Sequence, residues 1–154
     1  MKTLRLILGD QLNLNHSWFN QANDDNLYLM AEMRQETDYV KHHIQKVVGF
    51  FRAMRNFTST LEDKGHTVLY FKIGDEKNPQ NLPELIKETI SAHEIEKFEY
   101  QLPDEYRLDK QLKEICESIS IPSEAFDTEH FYTSRDELEN HFKDKKQLLM
   151  ESFY

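Results

Sequence analysis

The chain has 154 residues, 28 acidic against 19 basic side chains, a formal charge of -9 and 38% hydrophobic residues. That length supports one core, burying roughly 70% of the unfolded chain's surface without metal or disulfide staples, and is too short for a catalytic domain plus a cofactor domain of ordinary size. The composition excludes a disordered chain. The single Cys116 excludes an internal disulfide, a cysteine zinc site and a self-contained iron–sulfur cluster, and the acidic balance leaves no global footprint for nucleic acid.

Thr3 to Leu8 is a nearly continuous apolar run ending in Gly9-Asp10-Gln11, the pattern of a buried parallel strand meeting a polar loop. Asp10 interrupts this run too early for a secretory signal, and no later stretch approaches membrane-spanning length, so a cytoplasmic protein is expected with no membrane partner. Asn26 to Met33 is a second buried-type run, with Glu32, Arg34, Gln35 and Glu36 gathered at its carboxyl end. Between Asp38 and Glu62, apolar side chains from Val40 to Leu61 recur at helical steps, which predicts one long amphipathic helix. Gly65 is placed to stop it as a left-handed cap. Thr67 to Ile73, rich in branched and aromatic residues, is the third strand, closed by Gly74-Asp75. Asn81-Leu82-Pro83-Glu84 opens a helix, with Asn81 or Leu82 near the cap and Pro83 in the first turn. Lys97 to Leu102 is a fourth strand, broken by Pro103-Asp104. Leu108 to Ile119 has helical spacing, Ala125 to Thr128 supplies a fifth short strand, and Ser134 with Glu137 has the form of a capping box before a last helix.

Strands alternating with helical patterns predict an α/β fold: a doubly wound, five-stranded parallel sheet with helices on both faces, because parallel neighbours need crossovers. The expected order is 3-2-1-4-5. Ligands of such sheets bind outside the carboxyl ends of the strands, where crossovers diverge. In this order Gly9-Asp10-Gln11 lies between Ala31-Glu32 on one side and Pro103-Asp104-Glu105-Tyr106-Arg107 on the other. A phosphate cradle needs several glycines and a helix start free of carboxylates. The four glycines here are scattered at 9, 49, 65 and 74, and Asp10, Glu32, Glu36, Asp104 and Glu105 repel a pyrophosphate unless neutralised. Ionised carboxylates are acceptors, so the rim prefers polyol hydroxyls and ring N–H groups, with Tyr39 or Tyr106 to cover an aromatic ring.

Other features have bland explanations. Asp10 suits a loop or cap, and Glu32 and Glu36 suit solvated positions near a helix start. His43 falls one turn before Val47 and suits packing or hydrogen bonding; no HxxxH spacing suggests a metal. Cys116 lies in a helical apolar pattern, as a buried structural thiol would, and the stripe Phe50, Phe51, Met54 and Phe57 suits core.

Several ordered segments carry a resemblance. Leu6-Ile7-Leu8-Gly9-Asp10-Gln11-Leu12, His16-Ser17-Trp18-Phe19 and Glu36-Thr37-Asp38-Tyr39-Val40-Lys41-His42-His43 closely resemble the start of the deoxyribodipyrimidine photolyase-related family, the iron–sulfur bacterial branch of the cryptochromes and photolyases. Phe51-Arg52-Ala53-Met54-Arg55, Pro103 to Leu108, Phe131 to Arg135 and Lys146 to Tyr154 resemble later family segments in the same order. The resemblance implies a Rossmann-like antenna domain over residues 1–142, with residues 143–154 beginning the connection to a helical domain that holds FAD and a cysteine-bound iron–sulfur cluster and is absent here. It also implies light-driven repair of pyrimidine photoproducts, or blue-light signalling, with DNA engaged only through the FAD domain. A ribityl-lumazine-type chromophore is implied on the α/β domain, held by Gly9, Asp10, Gln11 and Leu12, by Ala31, Glu32, Glu36, Tyr39 and His43, and by Glu105 and Tyr106. The chain alone is expected to be a pigment holder and not a catalyst. Competing expectations are a chromophore-free assembly module that docks through Leu148-Leu149-Met150, and a small nucleotide-binding enzyme.

Overall fold

The computed structural model describes residues 1–38 and 40–153, with Glu36 described by its backbone alone. Strands β1 (Thr3–Leu6), β2 (Asn26–Ala31), β3 (Thr67–Phe71), β4 (Lys97–Gln101) and β5 (Ser123–Phe126) form one parallel sheet in the order β3-β2-β1-β4-β5. The expected order is therefore the observed one. Leu4 pairs with Leu27 on one side and Phe98 on the other, so the apolar rows of the three central strands stay in register.

Because successive strand residues face opposite ways, β1 serves two cores at once. Leu4, Leu6 and Leu8 join Leu29 and Phe98 under helices α3 (Leu82–Ala92) and α4 (Tyr106–Ser118), whose Leu85, Ile86, Leu108, Leu112 and Ile115 cover that face. Ile7 points the other way, with Tyr28 and Met30, toward helix α2 (Ile44–Asp63), which contributes Phe51, Met54, Phe57 and Leu61. Phe51, Met54 and Phe57 are thus core, with half-buried Phe50 packed against them. Cys116 is half-buried beside the α3/α4 core. Each fully buried Leu or Phe contributes about 1.5–3 kcal/mol over its exposed state.

Local chemistry sets most element ends. Asn81 caps α3 by accepting the Glu84 N–H at 3.2 Å, with Pro83 in the first turn. Gly65 takes φ +85°, and the His66 N–H returns to Leu61 O at 3.0 Å, closing α2. The Glu137 carboxylate accepts the Ser134 N–H at 3.0 Å at the start of helix α5 (Arg135–Phe142).

The fifth strand lies two residues earlier than expected, Cys116 is half-buried where a buried thiol was expected, and two larger features also differ from the sequence expectation. The helix predicted from Asp38 to Glu62 is α2, which starts only at Ile44, and a separate single turn, α1 (Gln35–Asp38), precedes it. His43 has extended backbone, and its Nδ1 accepts the Gln45 N–H at 3.2 Å, so the imidazole caps α2 instead of riding in it. The crossover from β1 to β2 also carries no α-helix: it is a loop with one 3-10 turn, Ser17–Phe19, whose Trp18 and Phe19 are buried on the α2 side of the sheet. Beside that loop Arg5 donates to Glu99 at 2.7 Å and lies 5.0 Å from the Trp18 ring centre, a paired charge under an aromatic cover.

The packed core ends at Thr128. From Glu129 to Phe153 no residue is buried. Among the described residues no helix is long and apolar enough to cross a membrane.

Candidate ligand site at the carboxyl edge of the sheet

The β1 end turns through Gly9-Asp10-Gln11, and Gln11 fastens it to β4. Its Oε1 accepts the Leu8 N–H at 3.0 Å, and its Nε2 donates to Gln101 O at 3.1 Å and Leu102 O at 3.4 Å. Gln11 is buried, so its amide closes the gap where the crossovers diverge. Gly9 lies against α2: a Cβ there would overlap the Phe50 ring and come within 3.0 Å of Met54 Sδ. Leu12 is half-buried on the same side.

The β2 end is held by Glu32, which the sequence places on the rim and the fold turns fully inward. Its carboxylate accepts Arg55 Nε at 2.6 Å and Nη2 at 3.0 Å, the Tyr70 hydroxyl at 2.7 Å and the Ile73 N–H at 2.9 Å. Asn78 Nδ2 and Gln80 Nε2 donate to the Glu32 carbonyl at 3.0 and 3.1 Å. Burial pushes the Glu32 carboxyl up, but Arg55, the Ile73 N–H and Tyr70 together hold it below the ordinary glutamate value. Burial first, and then the hydrogen bond to and charge of Glu32, drive the Tyr70 hydroxyl well above its ordinary value, against the pull of Arg55.

On the β4 side the acids are partly neutralised. Asp104 lies 3.1 Å from Arg135 Nη2 and 3.4 Å from His130 Nε2, and Glu105 pairs with Arg107. Asp10 has no cation within ion-pair distance among the described residues. Its carboxyl is pushed above the ordinary aspartate value, first by the desolvating protein around it, then by Asp104 and Glu105, against the pull of His130.

An opening of about 670 Å³ lies at the start of α4, lined by Gln35, Glu105, Tyr106, Arg107, Leu108 and Gln111 among others. That volume is within the usual range for a small-molecule site. Gln35 Nε2 donates to Gln111 Oε1 at 3.4 Å, and the Tyr106 ring is 78% exposed at the mouth. Gln35 also lines a crevice of about 20 Å³ with Gly9, Ala31, Met33 and Leu82. The fold therefore brings Gly9, Ala31, Glu105 and Tyr106 to one neighbourhood, linked by Gln35. Glu32 and Gln11 face inward behind it, and His43 is an exposed cap. Tyr39 and the Glu36 side chain lie outside the described residues.

Residues 5–154 match the deoxyribodipyrimidine photo-lyase-related protein family. The chain belongs to that family. It is also 28% identical over 155 residues to a (6-4) photolyase of Agrobacterium fabrum, an alignment covering 100% of this chain and 31% of that protein. The chain thus spans about a third of the length of the curated relative it matches.

In this photolyase-related domain, sequence reasoning named Gln35 only as a polar group at the β2 end, and did not single out Gln111 beside it or Arg55 as the partner of Glu32. Arg55 reads as one more outward cation of an amphipathic helix, yet it reaches Glu32 across 23 positions. Gln35 and Gln111, 76 positions apart, carry no periodic signal that would pair them. The one available clue was chemical: a carboxylate following a buried strand needs a cation or several donors, and Arg55 is the basic residue of α2 whose side chain is half in reach of the sheet.

Proposed function

We propose that this photolyase-related domain is a light-harvesting antenna module, which holds a neutral ribityl-lumazine-type pigment at the carboxyl edge of the sheet and serves a flavin carried by a separate helical domain. The reading rests on one observation: a chain of this family has an opening of about 670 Å³ beside the diverging crossovers, walled by the amides of Gln35 and Gln111, the carboxylates of Glu105 and Glu114, the cations Arg107 and Lys110, and the exposed Tyr106.

The residues fit such a group. Glu105 and Asp10 are acceptors for polyol hydroxyls, Gln35 and Gln111 offer amide donors and acceptors for the edge of a heterocycle, and the Tyr106 ring supplies a stacking face. Glu32, whose carboxylate is taken up internally by Arg55, Tyr70 and the Ile73 N–H, is not a pigment contact. By family resemblance, Glu36 and Tyr39 complete it. No glycine-rich turn supplies N–H groups for a pyrophosphate. When bound, the pigment supplies near-ultraviolet or blue absorption. The protein orients it, excludes water from one face and moves no proton.

Retention after dialysis tests the roles. Tyr106→Ala and Glu36→Ala should each weaken retention of ribityl-lumazine by about tenfold with an unchanged circular dichroism spectrum. Equal retention by both variants contradicts the assignment.

A further inference from the structure

The acidic side chains are unevenly distributed. All 28 lie outside residues 39–61, a stretch that carries Lys41, Lys46, Arg52 and Arg55. This stretch includes most of α2, the helix whose inner face fills one core of the sheet. On its outer flank Ile44 is 67% exposed and Val48, one turn later, 57% exposed. Beside them runs a groove of about 480 Å³ lined by Val48, Phe51, Arg52, Arg55 and Asn56. Phe51 is buried, so it forms the floor. Arg55 is fixed on the wall by its bonds to Glu32, while Arg52 is exposed and has no ion pair among the described residues.

We infer that the outer flank of α2 is a docking surface for a short, acidic amphipathic helix of a partner protein, with an aliphatic or aromatic side chain seated over Phe51 between Val48 and Arg52 and carboxylates against Arg52 and Lys46. Charge complementarity selects the sign of the partner. A flank free of carboxylates over residues 39–61, in a chain of net charge -9, attracts anionic groups held within a Debye length of it, about 8 Å, and is screened beyond that distance. Length follows from the same balance. Ile44 to Asn56 spans about 18 Å at 1.5 Å per residue, so a short acidic segment stays over the cationic flank, whereas a long polyanion runs onto acidic surface. The exposed aliphatics select a protein over a nucleic acid, because phosphate contacts leave Ile44 and Val48 in water, whereas the apolar face of a helix covers both.

Fluorescence anisotropy on the whole chain tests this with a labelled peptide of about 16 residues, made of glutamates with leucines at helical spacing. The controls are the same composition with the leucines scattered around the helix, and a single-stranded oligonucleotide of similar charge. The helical-face peptide should bind at least about tenfold more tightly than either control. Val48→Asp and Arg52→Glu, both at exposed positions, should each reduce its affinity by about tenfold or more, with unchanged thermal midpoints, and raising the salt should weaken it. No binding, equal binding of the scattered peptide, equal or tighter binding of the oligonucleotide, or affinity unmoved by both substitutions overturns the inference. Self-association of the chain that competes with the peptide and is lost in the same variants also overturns it, since the occupant would then be a second copy.

Discussion

At the scale of single residues, Glu32 decides how the β2 end is built. It is fully buried and accepts four donors, two of them from one guanidinium whose head is 48% exposed. Glu32→Gln keeps the size but loses the charge that holds Arg55, and leaves buried donors short of an acceptor. A loss of about 2–4 kcal/mol is expected by urea unfolding at neutral pH, short of the upper limit for a buried pair because Arg55 can turn to water. The folded carboxyl lies below its ordinary value. Its stabilisation is therefore whole above the unfolded-state value of about 4.3 and is lost as pH falls through the folded value. Stability of the native chain should drop more steeply than that of Glu32→Gln below about pH 4.3. Parallel curves for the two would mean that the carboxylate carries no linkage.

At the scale of elements, the legible parts of the fold are those decided locally. Asn81 with Pro83, Gly65 and Ser134 with Glu137 act within a turn of where they stand, so sequence alone locates those boundaries. The start of α2 was not legible. Val40 and Ile44 continue the apolar period of the helix but are exposed, 49% and 67%, and the break is made by His43, an uncommon cap. The site was legible only as a set of strand ends. Which rim groups face the opening depends on tertiary partners, so Glu32 and Gln11 turned inward while Gln35 and Gln111 came forward. Two elements carry predictions of their own. Gly9→Ala drives a methyl into Phe50 and toward Met54 Sδ, pushing α2 off the β1 end at a cost of about 1–3 kcal/mol; a variant as stable as the native chain in urea would contradict that packing. Helix α5 buries no residue and is tied to the sheet by Arg135, whose Nη2 donates to Leu102 O at 2.8 Å and to Asp104 at 3.1 Å. Arg135→Ala should speed amide exchange across residues 135–142 without moving the thermal midpoint of the core. A core that melts earlier with it would show α5 to be part of the packed unit.

At the scale of the whole molecule, three properties agree: a doubly wound parallel sheet, an open edge of amides, carboxylates and two cations without a glycine-rich phosphate cradle, and membership of a photolyase-related family. Light harvesting, the proposed role, asks only that a pigment be held and oriented, and the candidate groups sit on strand ends and helix starts. The apolar side chains of the Glu129–Phe153 segment lie outside this packed unit, so the site at the β1, β2 and β4 ends does not depend on them for its shape. Fluorescence titration of the purified chain with ribityl-lumazine, with ATP as the comparison, tests the central claim most directly. Saturable quenching or a spectral shift with the lumazine, and none with ATP, is the predicted result. No response to the lumazine, or a saturable response to ATP, would contradict the account.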